Sequence, residues 1–149
     1  MRIGFVSAIL HNLGTDEVLS VASDEGFACV EMMCWPRGGA DRRYAGVTHV
    51  DVARLEDDMI AHLHARCRTL GVEISGLGYS PNPLHPDAGQ RRAAIDHLKK
   101  VIDAAPRLGV RIVNTFIGRD WKKSIPDNLP LFDEIWPGLV AHAEKAGTT

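Results

Sequence analysis

The stretch CVEMMCW, residues 29–35, is apolar except for a single carboxylate, Glu31. A carboxylate inside an apolar strand is costly to bury unless it is paired or hydrogen-bonded. Two chemistries are therefore open for it. Glu31 either binds a ligand hydroxyl or a cation at the mouth of a cavity, or is neutralised by an arginine on a neighbouring strand, Arg2 or Arg111. Asn114 and Thr115 in VRIVNTFIGRD pose the same question. An amide inside a strand needs partners, and substrate contact and a satisfied core amide both answer that need. Trp35 and Tyr79 fall at strand ends, where each can stack on a sugar ring or close over the core as an aromatic lid. Asn82 and His85, then Arg119, Asp120 and Trp121, follow the third and fourth apolar runs, as His11 and Asn12 follow the first.

The segment WPRGGADRRYAGVTHV, residues 35–50, adds Arg37, Arg42, Arg43, Tyr44 and His49. Connections of this length in compact domains are often functional. Arginine suits bidentate capture of a phosphate or carboxylate; a solvated surface loop is the other reading. His62 and His64 lie two apart on a helical pattern, so they point in different directions and do not chelate one ion.

These residues are organised by a repeat in spacing. Glycines 26, 71, 109 and 147 stand 45, 38 and 38 residues apart, each after a stretch of helical periodicity. In the second such stretch Leu55, Met59, Ile60, Leu63, Cys67 and Leu70 step by three and four; Ile95 to Leu108 and Leu131 to Ala143 repeat the pattern, and a shorter copy runs from about Thr15 to Glu25. A helix commonly ends at a residue in the left-handed conformation, which glycine enters without steric cost. After the first three glycines come FACVEMMC, VEISGLGY and VRIVNTFI, runs whose near-continuous apolar character fits strands buried on both faces of a parallel sheet. With RIGFVSAI in front, the order is β-α-β-α-β-α-β-α, a single α/β domain over residues 1–149. The chain ends in HAEKAGTT, so Thr148 and Thr149 stand where a fifth strand is expected to begin. Pro106 and Pro137 each cost about 3 kcal/mol within a helix interior, so a bend or early end is expected near Pro106 and a kink at Pro137. In such folds ligands bind at the carboxyl ends of the strands, the side on which the long connections and the candidate residues gather.

The bulk numbers exclude several classes. Seventeen basic against nineteen acidic residues give a net charge of -2, so no global field favours nucleic acid or an anionic membrane. Cys29, Cys34 and Cys67 form no CxxC motif and read as reduced core thiols. No apolar run reaches the ~20 residues needed to cross a bilayer, and the expectation is a cytoplasmic protein. There is no GxGxxG, Walker loop, HExxH or nucleophile elbow.

RIGFVSAIL, GFACVEMMCWP, RRYAGVTHVDV, VEISGLGYSPNPL and VNTFIGRDW, in that order and spacing, resemble the sugar phosphate isomerase/epimerase family of xylose-isomerase-like TIM barrels. The resemblance runs along the whole chain and implies four βα units forming the N-terminal half of a (β/α)8 barrel, parallel strands with outer helices, stopping before strand five. It implies an isomerase or epimerase acting on a ketose or polyol through an enediolate, with a divalent metal (Mn, Mg, Co or Zn) bound by the family's strands five to eight. No catalytic or metal-binding residue is then expected within this chain, which alone would be inactive. Glu31, Trp35, Tyr79, Asn82, Asn114 and Arg119 are the residues expected to line the substrate pocket. A related group with this barrel, the endonuclease IV-like DNA repair enzymes, places a ligand histidine where this chain has Phe116 and Ile117. The partners expected are a small sugar or polyol, with neither nucleic acid nor membrane, and a further half-barrel or a second copy. The rival reading is a non-catalytic α/β module that holds a small ligand, or a half-barrel that dimerises.

Overall fold

The computed structural model describes residues 1–38 and 46–149. The elements are β1 (Gly4–Val6), a 3-10 turn (Ser7–Leu10), α1 (Thr15–Asp24), β2 (Cys29–Met33), α2 (Asp57–Leu70), β3 (Glu73–Gly78), α3 (Ala88–Arg107), β4 (Val113–Asn114) and α4 (Ile125–Ala146). The four strands form one parallel sheet in the order β1-β2-β3-β4, the βα alternation expected from the glycine spacing. All four spaced glycines have positive φ, 76°, 67°, 68° and 74° at Gly26, Gly71, Gly109 and Gly147. The starts of α1, α3 and α4 are also specified locally. Glu17 Oε2 accepts from Gly14 N–H at 2.7 Å, Asp87 Oδ1 from Gln90 N–H at 2.8 Å, and Ser124 Oγ from Asp127 N–H at 3.3 Å, so exposed amides at the helix ends find acceptors.

The core lies between the sheet and the helices. Val30, Met32 and Leu77, from the helix-facing positions of β2 and β3, are fully buried with Val18, Leu19, Leu98 and Val101. Helix α1 packs on α2, and α3 on α4. Pro106 falls in the last turn of α3, which ends at Arg107, whereas α4 runs on through Pro130 and Pro137 as one helix.

Two expectations change. The edge strands are open on the side turned away from the helices: Gly4 and Val6 in β1 and Asn114 in β4 are exposed, whereas Met33, Gly76 and Gly78 on the same side of the central strands are buried. Met59, expected on the buried stripe of α2, is exposed, and the buried positions of that helix are Ile60 and Leu63. At the other end of the sequence, Thr149 N–H donates to Arg111 O at 2.7 Å and Thr149 O accepts from Val113 N–H at 2.9 Å. These two bonds flank Ile112, the pattern of a parallel bridge, so Thr149 lies beside β4 as the first residue of a fourth ladder would.

Leu77→Ala should lower the unfolding free energy by roughly 2–5 kcal/mol through the cavity it leaves, read as a shift of the urea midpoint with unchanged slope. His49 is buried, with Nε2 at 3.2 Å from Leu13 O, and burial holds its pKa below the usual 6.5. Because the folded protein resists protonating it more than the unfolded chain does, its contribution is intact above pH 6.5 and drains away below that value as the ring protonates. A urea midpoint that falls on acidification from neutral pH, and falls less in His49→Gln, is the expected result.

Candidate functional site

The register of the sheet decides which side chains meet. Glu31 pairs with Gly76 and Met33 with Gly78, and Gly78 pairs with Asn114. Residues paired across parallel strands point to the same face, and alternate residues share it. Val6, Glu31, Met33, Gly78 and Asn114 therefore belong to the inner face, opposite the helices. Across the glycine row, Asn114 Nδ2 donates to Glu31 Oε2 at 2.7 Å. The pair spans three strands and is closed by an amide, not an arginine. That corrects one of the two sequence alternatives for Glu31: Arg2 pairs instead with Glu73 at 2.5 Å.

Gly78 is what allows the contact. A Cβ at this position would sit 2.5 Å from Glu31 Oε1 and 2.7 Å from Met33 Sδ, closer than real Cβ contacts come. The carboxylate consequently lies over bare backbone, with Oε1 left beside the Asn114–Oε2 bond. Sequence reasoning did not single out this glycine, although a glycine within a strand often marks a close approach by another group.

At the carboxyl end of β2 and β3 the aromatic residues form a packed group. Tyr79 meets Trp35 edge-on at 5.0 Å and His97 edge-on at 4.7 Å. His97 is buried on α3 and its Nε2 donates to Cys34 O at 2.7 Å. It was missed in the sequence, where its position between Ala94 and Val101 on the apolar stripe of α3 was the available signal. Tyr79 is buried, and burial pushes its phenol up to about 12, so it is neutral at ordinary pH. The Cys34 thiol is likewise held protonated, chiefly by burial and then by the negative charge of Glu31. Trp35 is half-buried, and its Nε1 is shielded from solvent without a hydrogen-bond partner.

Asn82 and Arg119 are joined to one another and stand apart from Glu31. Asn82 Oδ1 accepts from Arg119 N–H at 2.8 Å and from Leu84 N–H at 3.1 Å, and its Nδ2 donates to Arg119 O at 2.8 Å. One side-chain amide thus locks the β3–α3 loop to the β4–α4 loop and holds Arg119 by its backbone, with the Arg119 side chain exposed. Beyond it, Asp120 is buried and receives Lys122 N–H at 3.0 Å, while its own N–H donates to Asn128 Oδ1 at 2.7 Å. The exposed Trp121 ring rests edge-on against His85 at 5.0 Å. The six predicted residues therefore form three groups: Glu31 with Asn114, Trp35 with Tyr79, and Asn82 with Arg119.

Of the loop read as either an anion-capturing segment or a solvated surface, Arg37 is paired with Asp51 at 2.9 Å and His49 is buried, while Arg42, Arg43 and Tyr44 lie outside the described residues. His62 binds Asp16 at 2.9 Å and His64 binds Leu108 O at 3.1 Å, in separate directions. Among the described residues no three His, Cys, Asp or Glu side chains converge as metal ligands, and all three cysteines are free. No helix among them is long and apolar enough to cross a membrane.

Three comparisons give this geometry its context. A family model described as xylose isomerase-like TIM barrel matches residues 19–149. No curated protein matches the sequence. Among solved structures, D-psicose 3-epimerase determined in the presence of D-fructose superimposes with a TM-score of 0.71 at 14% identity, covering 100% of this chain and 50% of that one. A xylose isomerase-like TIM barrel protein from Mycobacterium smegmatis in complex with magnesium gives 0.67 at 18% identity, with 99% and 53% covered. The probable 3-DHS dehydratase AsbF of Bacillus anthracis gives 0.71 at 9% identity, with 99% and 50% covered. At these identities the likeness is one of fold, and the chain spans about half the length of the structures it matches. Four parallel strands with four helices are thus half of the eightfold barrel, and the chain belongs to the xylose isomerase-like TIM barrel family.

Proposed function

We propose that this chain supplies the substrate-holding half of a sugar isomerase or epimerase, a protein that moves a proton on a ketose or polyol through an enediolate. The observation that carries the reading is the Glu31–Asn114 pair on the inner face, with Asn114 at the carboxyl end of β4, the side on which ligands of such folds bind. Glu31 Oε1 is free to accept a substrate hydroxyl, and Asn114 Oδ1 to accept a second. Two adjacent acceptors suit a vicinal diol, because each hydroxyl donates one hydrogen. The Asn114 amide fixes the carboxylate before substrate arrives, so little ordering is left to be done on binding.

Trp35 and Tyr79 pack as an aromatic pair just past the carboxyl ends of β2 and β3, with Tyr79 in the hydrophobic core against the helices. Their edge-to-face contact and the His97 bond beneath them restrict both rings. Asn82 and Arg119 serve as the rim, with Asn82 setting the position of the Arg119 backbone. The chain's own residues bind and orient; the proton-transferring carboxylates would stand on the further strands of a complete barrel. The described residues do not fit a metal centre, since Glu31 is one carboxylate without companions. The magnesium- and zinc-containing neighbours favour a divalent metal in the complete barrel, with its ligands drawn from those further strands. D-fructose and D-tagatose, each crystallised with a neighbouring epimerase, favour a ketose substrate. Three free thiols suit a cytoplasmic setting.

The test is exchange of a ketose C–H proton with deuterated solvent, in a barrel completed by four further βα units and supplied with divalent metal. Exchange with at least one ketose or polyol is expected. Glu31→Ala should reduce kcat/KM by roughly 10- to 100-fold, the effect of losing a hydrogen bond to a charged acceptor, and Gly78→Val should do so too by displacing the carboxylate. No exchange over a broad panel, or full activity in Glu31→Ala, would remove the assignment.

A further inference from the structure

Met33 shares the seat of Glu31. It lies two residues further along β2 on the same face, and so nearer the carboxyl end from which a ligand of such a fold enters. It is 6% exposed, yet it stands outside the cluster of apolar side chains packed between the sheet and the helices. Its thioether turns across the neighbouring strand instead. The point where a Gly78 Cβ would sit is 2.7 Å from Met33 Sδ and 2.5 Å from Glu31 Oε1. Sulfur and carboxylate oxygen therefore flank one bare stretch of backbone, and the polar acceptor has an apolar neighbour on the side of the carboxyl ends.

The backbone leaves Met33 little freedom to move away. Its N–H donates to Ser7 Oγ at 2.9 Å, its carbonyl accepts from the His49 and Val50 N–H groups at 2.9 and 3.2 Å, and the adjacent Cys34 N–H donates to Gly78 O at 2.8 Å. Ser7 is fully buried, and its hydroxyl takes over where the β1–β2 ladder ends at the Val6–Glu31 pair. Met33, Glu31 and Gly78 belong to the two central strands, so strands added beside β1 and β4 would leave this arrangement in place. The chemistry of the two neighbours differs sharply. A carboxylate oxygen accepts a hydroxyl strongly, whereas a thioether is a weak acceptor and no donor. A ligand carbon lying against Met33 is well matched if it carries only hydrogen; a hydroxyl there gives up water for no adequate partner.

We propose that Met33 is the specificity-determining residue of the Glu31–Asn114 site, selecting a ketose or polyol with a deoxygenated carbon, CH2 or CH3, next to the hydroxyls that the pair holds. This inference rests on the function proposed above and narrows its substrate class. Because Sδ and Oε1 approach the same point, the apolar and the polar contact fall on neighbouring parts of one ligand. An apolar contact of this kind rejects an added hydroxyl by roughly five- to 100-fold.

The test is a set of dissociation constants for D-fructose and its monodeoxy analogues, read from the Asn114 side-chain amide by nuclear magnetic resonance titration of the 149-residue chain. At least one analogue is expected to bind roughly fivefold or more tighter than D-fructose. Met33→Leu, which keeps the position apolar, should preserve that gain. Met33→Gln, similar in length but with an amide able to pair a hydroxyl, should abolish it. Far-UV circular dichroism checks that both variants fold, and the comparison of sugars on the unaltered chain is decisive without them. D-fructose binding as tightly as every analogue, or a gain that survives in folded Met33→Gln, overturns the proposal and leaves the Glu31–Asn114 site standing. Failure of every sugar to move the Asn114 signal removes the site and the proposal together.

Discussion

The inner face depends on one register, in which Glu31 lies beside Gly76, Met33 beside Gly78, and Gly78 beside Asn114. A shift of one residue in the β2–β3 pairing would turn Glu31 toward the helices and into the hydrophobic core, where an unpaired carboxylate is costly. The core enforces the register from the other side. Val30, Met32 and Leu77 fit between the helices only if Glu31 and Met33 point away. The burial of apolar side chains on one face thus fixes the polar pair on the other, and the absence of a side chain at Gly78 gives the carboxylate its seat.

How much of this was legible in the sequence follows from the range of the forces involved. The four helices, their glycine ends and the βα order came through because they rest on local rules: a 3.6-residue period, and a left-handed residue at each helix end. The partner of Glu31 did not. Arg2 and Arg111 were reasonable candidates by charge, but partnership depends on strand order and register, which set Asn114 within 2.7 Å and sent Arg2 to Glu73. Asn82 is a similar case. Its residue type suggested ligand contact, whereas three hydrogen bonds employ it in joining two loops, a role invisible without knowing that residues 82 and 119 are neighbours. The strands' apolar character suggested burial on both faces, which holds in β2 and β3 at Met33, Gly76 and Gly78 and not at Val6 and Asn114 of the edge strands, because exposure there depends on what adjoins the sheet, which periodicity does not report.

The three groups of predicted residues differ in what they contribute. Glu31 and Asn114 leave carboxylate and amide oxygens on the inner face, Trp35 and Tyr79 pack edge-to-face past the ends of β2 and β3, and Asn82 ties the Arg119 backbone to the β3–α3 loop. In the proposed role they bind and orient a substrate and leave proton transfer to groups elsewhere. That reading suits four strands of a fold that gathers its working groups at one end of eight.

The most direct measurement is a nuclear magnetic resonance titration of the nitrogen-labelled chain with a ketose, following side-chain amides. The account predicts that the Asn114 side-chain resonances shift on saturable addition of sugar and cease to shift in Glu31→Ala, while those of Asn82, engaged between its two loops, stay in place. An Asn114 signal unmoved by any ketose or polyol, with shifts confined to Asn82 and His85, would contradict it.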